Sequence, residues 1–249
     1  MRRYRINPPE KKLIALLLDK INSKTKPVGS LGRLEEISLQ IGLIQNTLSP
    51  RLVNPHIVVF AGDHGIANEG VSAYPQDVTW QMVMNILKGG AAINVFCRQQ
   101  NIDLKVVDAG VNYDFPQNNE GLIHNKIAKG TLNFAEQPAM SVEDAQHCID
   151  TGASIVKKIS ANGCNIIGFG EMGIGNSSSA AMLTSALTAI PLHKCVGRGT
   201  GLNDEALDWK LNILSKAFLK NGKPDSPLKT LAHYGGFEIA QIVGAMLQA

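Results

Sequence analysis

Apolar residues at positions 13, 14, 17, 18 and 21 recur at helical spacing and predict a helix over residues 9–22. A Pro- and Gly-punctuated loop follows at Lys26-Pro27-Val28-Gly29-Ser30-Leu31-Gly32-Arg33, then a second helix with Leu34, Ile37, Ile41 and Ile44 on one face. The pattern then changes period. The continuous apolar run over residues 56–60 predicts a buried strand ending in Ala61-Gly62-Asp63-His64-Gly65. Helical spacing returns over residues 75–100, interrupted at Gly89-Gly90, and a second strand is predicted over residues 104–108.

Residues 112–140, rich in Asn, Gly and Gln, read as loop. Residues 141–160 read as a helix opened by Ser141-Val142-Glu143-Asp144, with the acid three residues after the capping serine. A third strand over residues 164–169 runs into Gly170-Glu171-Met172-Gly173-Ile174-Gly175-Asn176 and a helix over 177–188. A short fourth strand over residues 194–196 is expected to end in Gly197-Arg198-Gly199-Thr200-Gly201, before a helix over 203–220.

Strand, glycine turn and helix in repetition predict an α/β fold: a doubly wound, mainly parallel sheet with flanking helices. Residues 1–50 are expected to contribute to a small helical subdomain, 51–221 to form the parallel core with the substrate site, and 222–249 to be a C-terminal helix. In such sheets ligands bind at the carboxyl ends of the strands, where the glycine turns are expected to lie.

Composition narrows the function classes. Hydrophobic residues make up 44% and charged residues 18%, which argues for a packed globular domain and against disorder. A net charge of +3 is too weak a bias for a nucleic-acid stripe, and the basic Met1-Arg2-Arg3-Tyr4-Arg5 start reads as solvated. Cys97, Cys148, Cys164 and Cys195 form no CxxC pair and read as buried thiols in a reducing compartment. The chain shows neither a signal peptide nor an apolar run approaching the roughly 20 residues of a membrane span, so a cytoplasmic location is expected.

The turn from Gly173 through Ile174, Gly175 and Asn176 to Ser177 opens a helix, where N–H groups and the dipole favour an anion such as phosphate. Asn176 and Ser177 are good N-cap types. Gly199, Thr200 and Gly201 offer a second such turn, with the Arg198 guanidinium beside it and Lys210 on the next helix as a point charge. Glu171, a carboxylate inside the first turn, is a candidate base or a holder of a cationic ring. Gly168, Gly170 and Gly173 spell a G-x-G-x-x-G. It occurs at the third strand with no acid between Asn176 and Asn203, which weakens a Rossmann oxidoreductase reading. Asp63 is read as structural or site-shaping. His64 lacks a second ligand at metal spacing, so no metal is expected. Tyr74, Pro75, Gln81 and Met82 form a candidate wall for a planar ring.

Five segments, in order along the chain, together resemble the nicotinate-nucleotide–dimethylbenzimidazole phosphoribosyltransferase family of cobalamin lower-ligand synthesis. They are Lys26–Glu35, Ala61–Gly65 with Ser72–Thr79, Gly170–Asn176, Gly197–Leu202 and Gly235-Gly236-Phe237-Glu238-Ile239-Ala240. The resemblance implies a homodimer that uses neither metal nor redox cofactor. It takes nicotinate mononucleotide and 5,6-dimethylbenzimidazole to α-ribazole 5′-phosphate and nicotinate, with inversion at the anomeric carbon. It also implies that the base lies near Tyr74, Pro75, Gln81, Met82 and Met172. The family carries a later Gly-Glu-Gly-Thr-Gly-type loop whose glutamate is cast as general base, and these 249 residues hold no such segment. The expectations are therefore a shortened chain that binds ligand but turns over slowly, and an apolar stripe of Ile239, Ile242, Val243 and Met246 left bare. A nucleotide- or benzimidazole-binding protein without catalysis is the competing reading.

Overall fold

The computed structural model describes residues 4–249; the basic Met1-Arg2-Arg3 start lies outside the described residues. The chain divides into two compact units, one reaching to Val53 and the other Asn54–Ala249.

The first unit contains α1 (Ile14–Asn22) and α2 (Arg33–Ile44). Leu17 is its buried residue on α1, and it is admitted by Gly42 of α2, where a Cβ would stand 2.6 Å from the Leu17 side chain. Lys26 and Glu35 form a sheltered 2.8 Å ion pair. A cavity of about 660 Å³ is lined by residues of this unit alone. The apolar face of α2 is largely open, with Leu34 and Ile44 both 61% exposed.

The second unit is built on a parallel four-stranded sheet in the order β3-β2-β1-β4. Its strands are β1 (His56–Gly62), β2 (Asp103–Gly110), β3 (Leu122–His124) and β4 (Ile167–Met172). The helices are α3 (Val78–Leu87), α4 (Ala92–Gln100), α5 (Val142–Ala161), α6 (Asn176–Thr188), α7 (Leu192–Cys195), α8 (Asp204–Asn221), α9 (Pro227–Tyr234) and α10 (Phe237–Gln248).

Side chains alternate across a strand, and β1 is covered on both sides. Val58 and Phe60 pack with Ile155, Val156 and Ile159 of α5 and Ala245 of α10. Val59 and Ala61 pack with Val83 and Ile86 of α3. This is a doubly wound α/β arrangement, which is why β1 reads as an unbroken apolar run rather than an alternating one. Among the described residues, no helix is long and apolar enough to cross a membrane.

Several expected elements differ. Residues 194–196 are not a strand: Leu192–Cys195 is one helical turn begun by Pro191, with Lys194 N–H bonded to Pro191 O and Val196 N–H to Leu192 O. The fourth strand is instead β3, inside the stretch read as loop, where Leu122 and Ile123 pair with Val106 and Val107. The third predicted strand begins three residues later, at Ile167, and continues through Met172, so Glu171 belongs to β4 opposite Phe60 rather than to the turn. The helical capping at Ser141 is as expected, with its Oγ accepting from Asp144 N–H at 2.9 Å.

The apolar stripe of α10 is not bare. Ile242 packs against the α5 core cluster, Ile239 and Val243 are half-buried, and Met246 alone of the four is mostly exposed. The helix turns its smaller residues, Ala240, Gly244 and Ala245, inward.

Candidate functional site at the carboxyl edge of the sheet

Parallel strands bring their carboxyl ends to one edge. Ala61 pairs with Met172 and Gly62 with Gly110, so the segments after β1, β2 and β4 leave the sheet side by side. Asp63 and His64 follow β1 and are both buried. The glycine turn follows β4 and passes directly over them. A Cβ on Gly173 would stand 2.1 Å from Gly62 O, and one on Gly175 would stand 3.0 Å from His64 Cβ. Gly175, at φ 100°, is itself the N-cap of α6, so the cap is glycine rather than Asn176 or Ser177.

Asn176 turns back to donate from Nδ2 to Glu171 Oε2, and this fixes the carboxyl at the mouth of the turn. Glu171 is exposed by surface area, yet the protein around its carboxyl raises its proton affinity. Burial contributes most, the Glu238 charge adds to it, and His64 opposes. Burial also raises Asp63, whose Oδ2 accepts from Asn112 N–H at 2.8 Å while its buried Oδ1 has no hydrogen-bond partner among the described residues. Thr79 Oγ1 accepts from Ile174 N–H at 3.0 Å and so ties α3 to the turn. The N–H groups of Ile174 and Asn176 are therefore already engaged within the protein, the latter with Gly173 O.

The second glycine segment follows α7, not a strand, but it reaches the same place through Lys210. That side chain is fully buried; its Nζ donates to Ser177 Oγ at 2.9 Å and to Gly197 O at 3.3 Å. A Cβ on Gly199 would crowd both Ser177 Oγ (2.9 Å) and Lys210 Nζ (3.4 Å). Burial lowers the proton affinity of Lys210, and among the described residues no carboxylate pairs with it. Arg198 is spoken for, donating to Leu202 O and pairing with Asp204. Gly201, at φ 98°, closes the segment with its N–H on Arg198 O.

Thr200 Oγ1 lies 3.2 Å from Ser72 Oγ and accepts from Ala73 N–H at 3.3 Å, which joins this segment to the loop that carries Tyr74 and Pro75. Tyr74 is 54% exposed, Pro75 and Gln81 are exposed, Met82 is half-buried on α3, and Met172 packs into the α3 core cluster. The structure thus brings together Glu171, the 173–177 turn, Gly199, Thr200 and Lys210, with Tyr74 and Pro75 tethered to them. Gln81 and Met82 stand further along α3, and the link between that helix and the turn is Thr79.

Sequence reasoning gave no role to Glu238, Ser179 or Thr79. Glu238 is fully buried, with Oε1 2.7 Å from His64 Nε2, and Ser179 Oγ lies 3.0 Å from His64 Nδ1. The usable signal was a carboxylate inside the apolar stripe of the last helix, since a carboxylate is almost never fully buried unpaired.

Gly168 and Gly170 lie inside β4, against Ile57 and Val59, so the G-x-G-x-x-G is not a strand-to-helix dinucleotide turn.

The family described as Phosphoribosyltransferase matches residues 6–249. The nicotinate-nucleotide–dimethylbenzimidazole phosphoribosyltransferase of Aromatoleum aromaticum is 52% identical over 99% of this chain and 71% of its own length. That of Dechloromonas aromatica is 54% identical over the whole chain and 72% of its own length. A crystal structure of CobT from Thermus thermophilus superposes with a TM-score of 0.89 at 39% identity, covering 95% of this chain and 71% of that one. The chain belongs to the nicotinate-nucleotide–dimethylbenzimidazole phosphoribosyltransferase family.

Proposed function

We propose that this chain transfers the phosphoribosyl group of nicotinate mononucleotide to 5,6-dimethylbenzimidazole, giving α-ribazole 5′-phosphate and nicotinate. The observation that carries this reading is the buried Lys210 ammonium, which faces Ser177 and the glycine segments without a carboxylate partner. A buried cation is costly unless a charge answers it, and a nucleotide phosphate is such a charge. The turns at Gly173–Ser177 and Gly199–Gly201 then hold phosphate and ribose, while the base lies near Tyr74, Pro75, Gln81, Met82 and Met172.

In the reaction a ring nitrogen of the base bonds to the anomeric carbon from the face opposite nicotinate. The bond from that carbon to the pyridinium nitrogen breaks, and its electron pair returns to the ring, which leaves neutral at nitrogen. The configuration inverts. The attacking ring then releases the proton on its other nitrogen to solvent water. Glu171, held by Asn176 beside the turn, then faces the ribose in this reading, and its negative carboxylate stabilises positive charge developing on the sugar. The enzyme acts in the cytoplasm as a homodimer.

The test is incubation of the chain with both substrates and detection of α-ribazole 5′-phosphate by mass. Binding of both ligands without product would favour the non-catalytic binding reading. Lys210→Ala is expected to weaken nicotinate mononucleotide binding by about 1–3 kcal/mol, the range for hydrogen bonds to charged groups. Titration calorimetry checks it, and unchanged affinity would remove Lys210 from the site. In a crystal structure with dimethylbenzimidazole, the ring is expected within van der Waals contact of Tyr74 or Met82, and a ring bound elsewhere would reject this base site.

A further inference from the structure

The mechanism leaves one buried group of polar side chains unused. His64, Glu238 and Ser179 come from the end of β1, the start of α10 and the first turns of α6, and all three are fully buried. The backbone around them is shaped to admit them. A Cβ on Gly236 would stand 2.4 Å from both Glu238 Oε2 and His64 Cε1, and one on Gly62 would stand 2.8 Å from the same Oε2. The phosphate turn lies on the opposite side of the imidazole, with the Gly173 Cβ position 3.5 Å from His64 Cδ2 and that of Gly175 3.0 Å from His64 Cβ.

The hydrogen bonds have one direction that satisfies most groups. Ser179 Oγ is 3.5 Å from Gly235 O as well as 3.0 Å from His64 Nδ1, and a hydroxyl has a single proton. If it donates to Gly235 O, Nδ1 must donate to Oγ while Nε2 donates to Glu238 Oε1, so the ring is an imidazolium. Burial by itself disfavours that charge. The Glu238 carboxylate, with Asp63 and Glu171 adding to it, outweighs burial and raises the ring's proton affinity. Glu238 Oε2 still has no partner, although it is buried. Removing one member of such a pair is costly, whereas its presence is weak evidence for stability alone. What the pair does specify is where the turn sits.

The geometry points to His64 as a positioning residue of the phosphoribosyl site: clamped between Glu238 and Ser179, it fixes the height of the Gly173–Gly175 turn and so the phosphate cradle, without touching substrate. The inference rests on the transferase reading.

It is tested by calorimetric titration of the native chain, H64Q, E238Q and S179A with nicotinate mononucleotide and, separately, with dimethylbenzimidazole. The nucleotide Kd is expected to rise about tenfold or more in H64Q and E238Q, the loss of one charge-assisted bond. In S179A it is expected to rise about threefold, a smaller loss because the ring keeps its stronger bond to the Glu238 carboxylate. The Kd for dimethylbenzimidazole stays within about twofold of native in all three, because its wall is mostly on α3 and the 72–75 loop and its remaining member, Met172, is held in β4 opposite Ala61. A variant that is only partly folded loses binding sites per chain, not affinity per site, so unchanged nucleotide Kd at reduced stoichiometry assigns the group to folding and overturns the proposal. Unchanged Kd at full stoichiometry overturns it as well. S179A, the mildest change, decides the matter if the other two do not fold. A native chain that binds no nicotinate mononucleotide overturns the transferase reading and this inference with it.

Discussion

Replacing Glu171 by Gln is expected to slow formation of α-ribazole 5′-phosphate by about 10²–10³-fold, the range for removing one group aimed at charge that develops in the transition state, while nicotinate mononucleotide affinity changes little. The substitution keeps the size of the side chain and its contact with Asn176 but removes the charge. That charge has value mainly in the transition state, when the sugar becomes positive, so the loss belongs to kcat rather than to ground-state binding.

The pH dependence follows with a definite sign. Burial, with the Glu238 charge, places the Glu171 carboxyl above its ordinary value of 4.5. A reaction that requires the carboxylate is therefore lost, as pH falls, at a higher pH than an unperturbed glutamate would give. The acidic limb of the native kcat profile should lie above pH 4.5 and be absent from what activity remains in the Gln variant. A Gln variant with native kcat and an unaltered acidic limb would exclude Glu171 from the chemistry.

The sheet and the glycine turns were legible because two periods of hydrophobicity meet at them. The unbroken apolar run of β1 and the helical spacing of α5 identify elements buried on both faces and on one, and each is followed by glycine where the chain must turn closely. β3 was not legible. It has three residues, its neighbours are Asn and Gly, and it is a strand only because Val106 and Val107 offer it an edge. Conversely Lys194, Cys195 and Val196 look extended, but Pro191 opens a helical turn whose local hydrogen bonds they complete.

Residues whose chemistry is local could be proposed in advance, and the structure brings the turn glycines, Glu171 and Lys210 to one edge of the sheet. Glu238 showed in the sequence only as a carboxylate in an apolar stripe; its partner did not, because α10 must return across the sheet to meet His64, 174 positions earlier. Arg198 was overvalued for a related reason: its guanidinium is taken by Leu202 O and Asp204, and only the folded turn shows that.

That return of α10 is also where the fold is least forgiving. Gly152→Ala or Gly244→Ala is expected to destabilise the protein by about 2 kcal/mol or more, even though alanine is the better helix former by about 1 kcal/mol. A Cβ on Gly244 would lie 1.8 Å from Ile149 O, and one on Gly152 would lie 2.0 Å from Gln241 O. Both obstacles are backbone carbonyls of the facing helix, so no rotamer change relieves them and the two helices must move apart. Their separation would withdraw Ala245 from the cluster it shares with Val58 and Phe60. Gly197→Ala is the matched control, because a Cβ there meets nothing within 4 Å, and it should stay within about 0.5 kcal/mol of native. Denaturant titration of the three variants checks this, and a Gly244→Ala protein as stable as native would show that the helices yield at no cost. The same displacement carries Glu238, one residue inside the start of α10, away from His64. Gly244→Ala should therefore weaken nucleotide binding even at temperatures where it remains folded, linking a packing contact further along the helix to the glycine turn at the edge of the sheet.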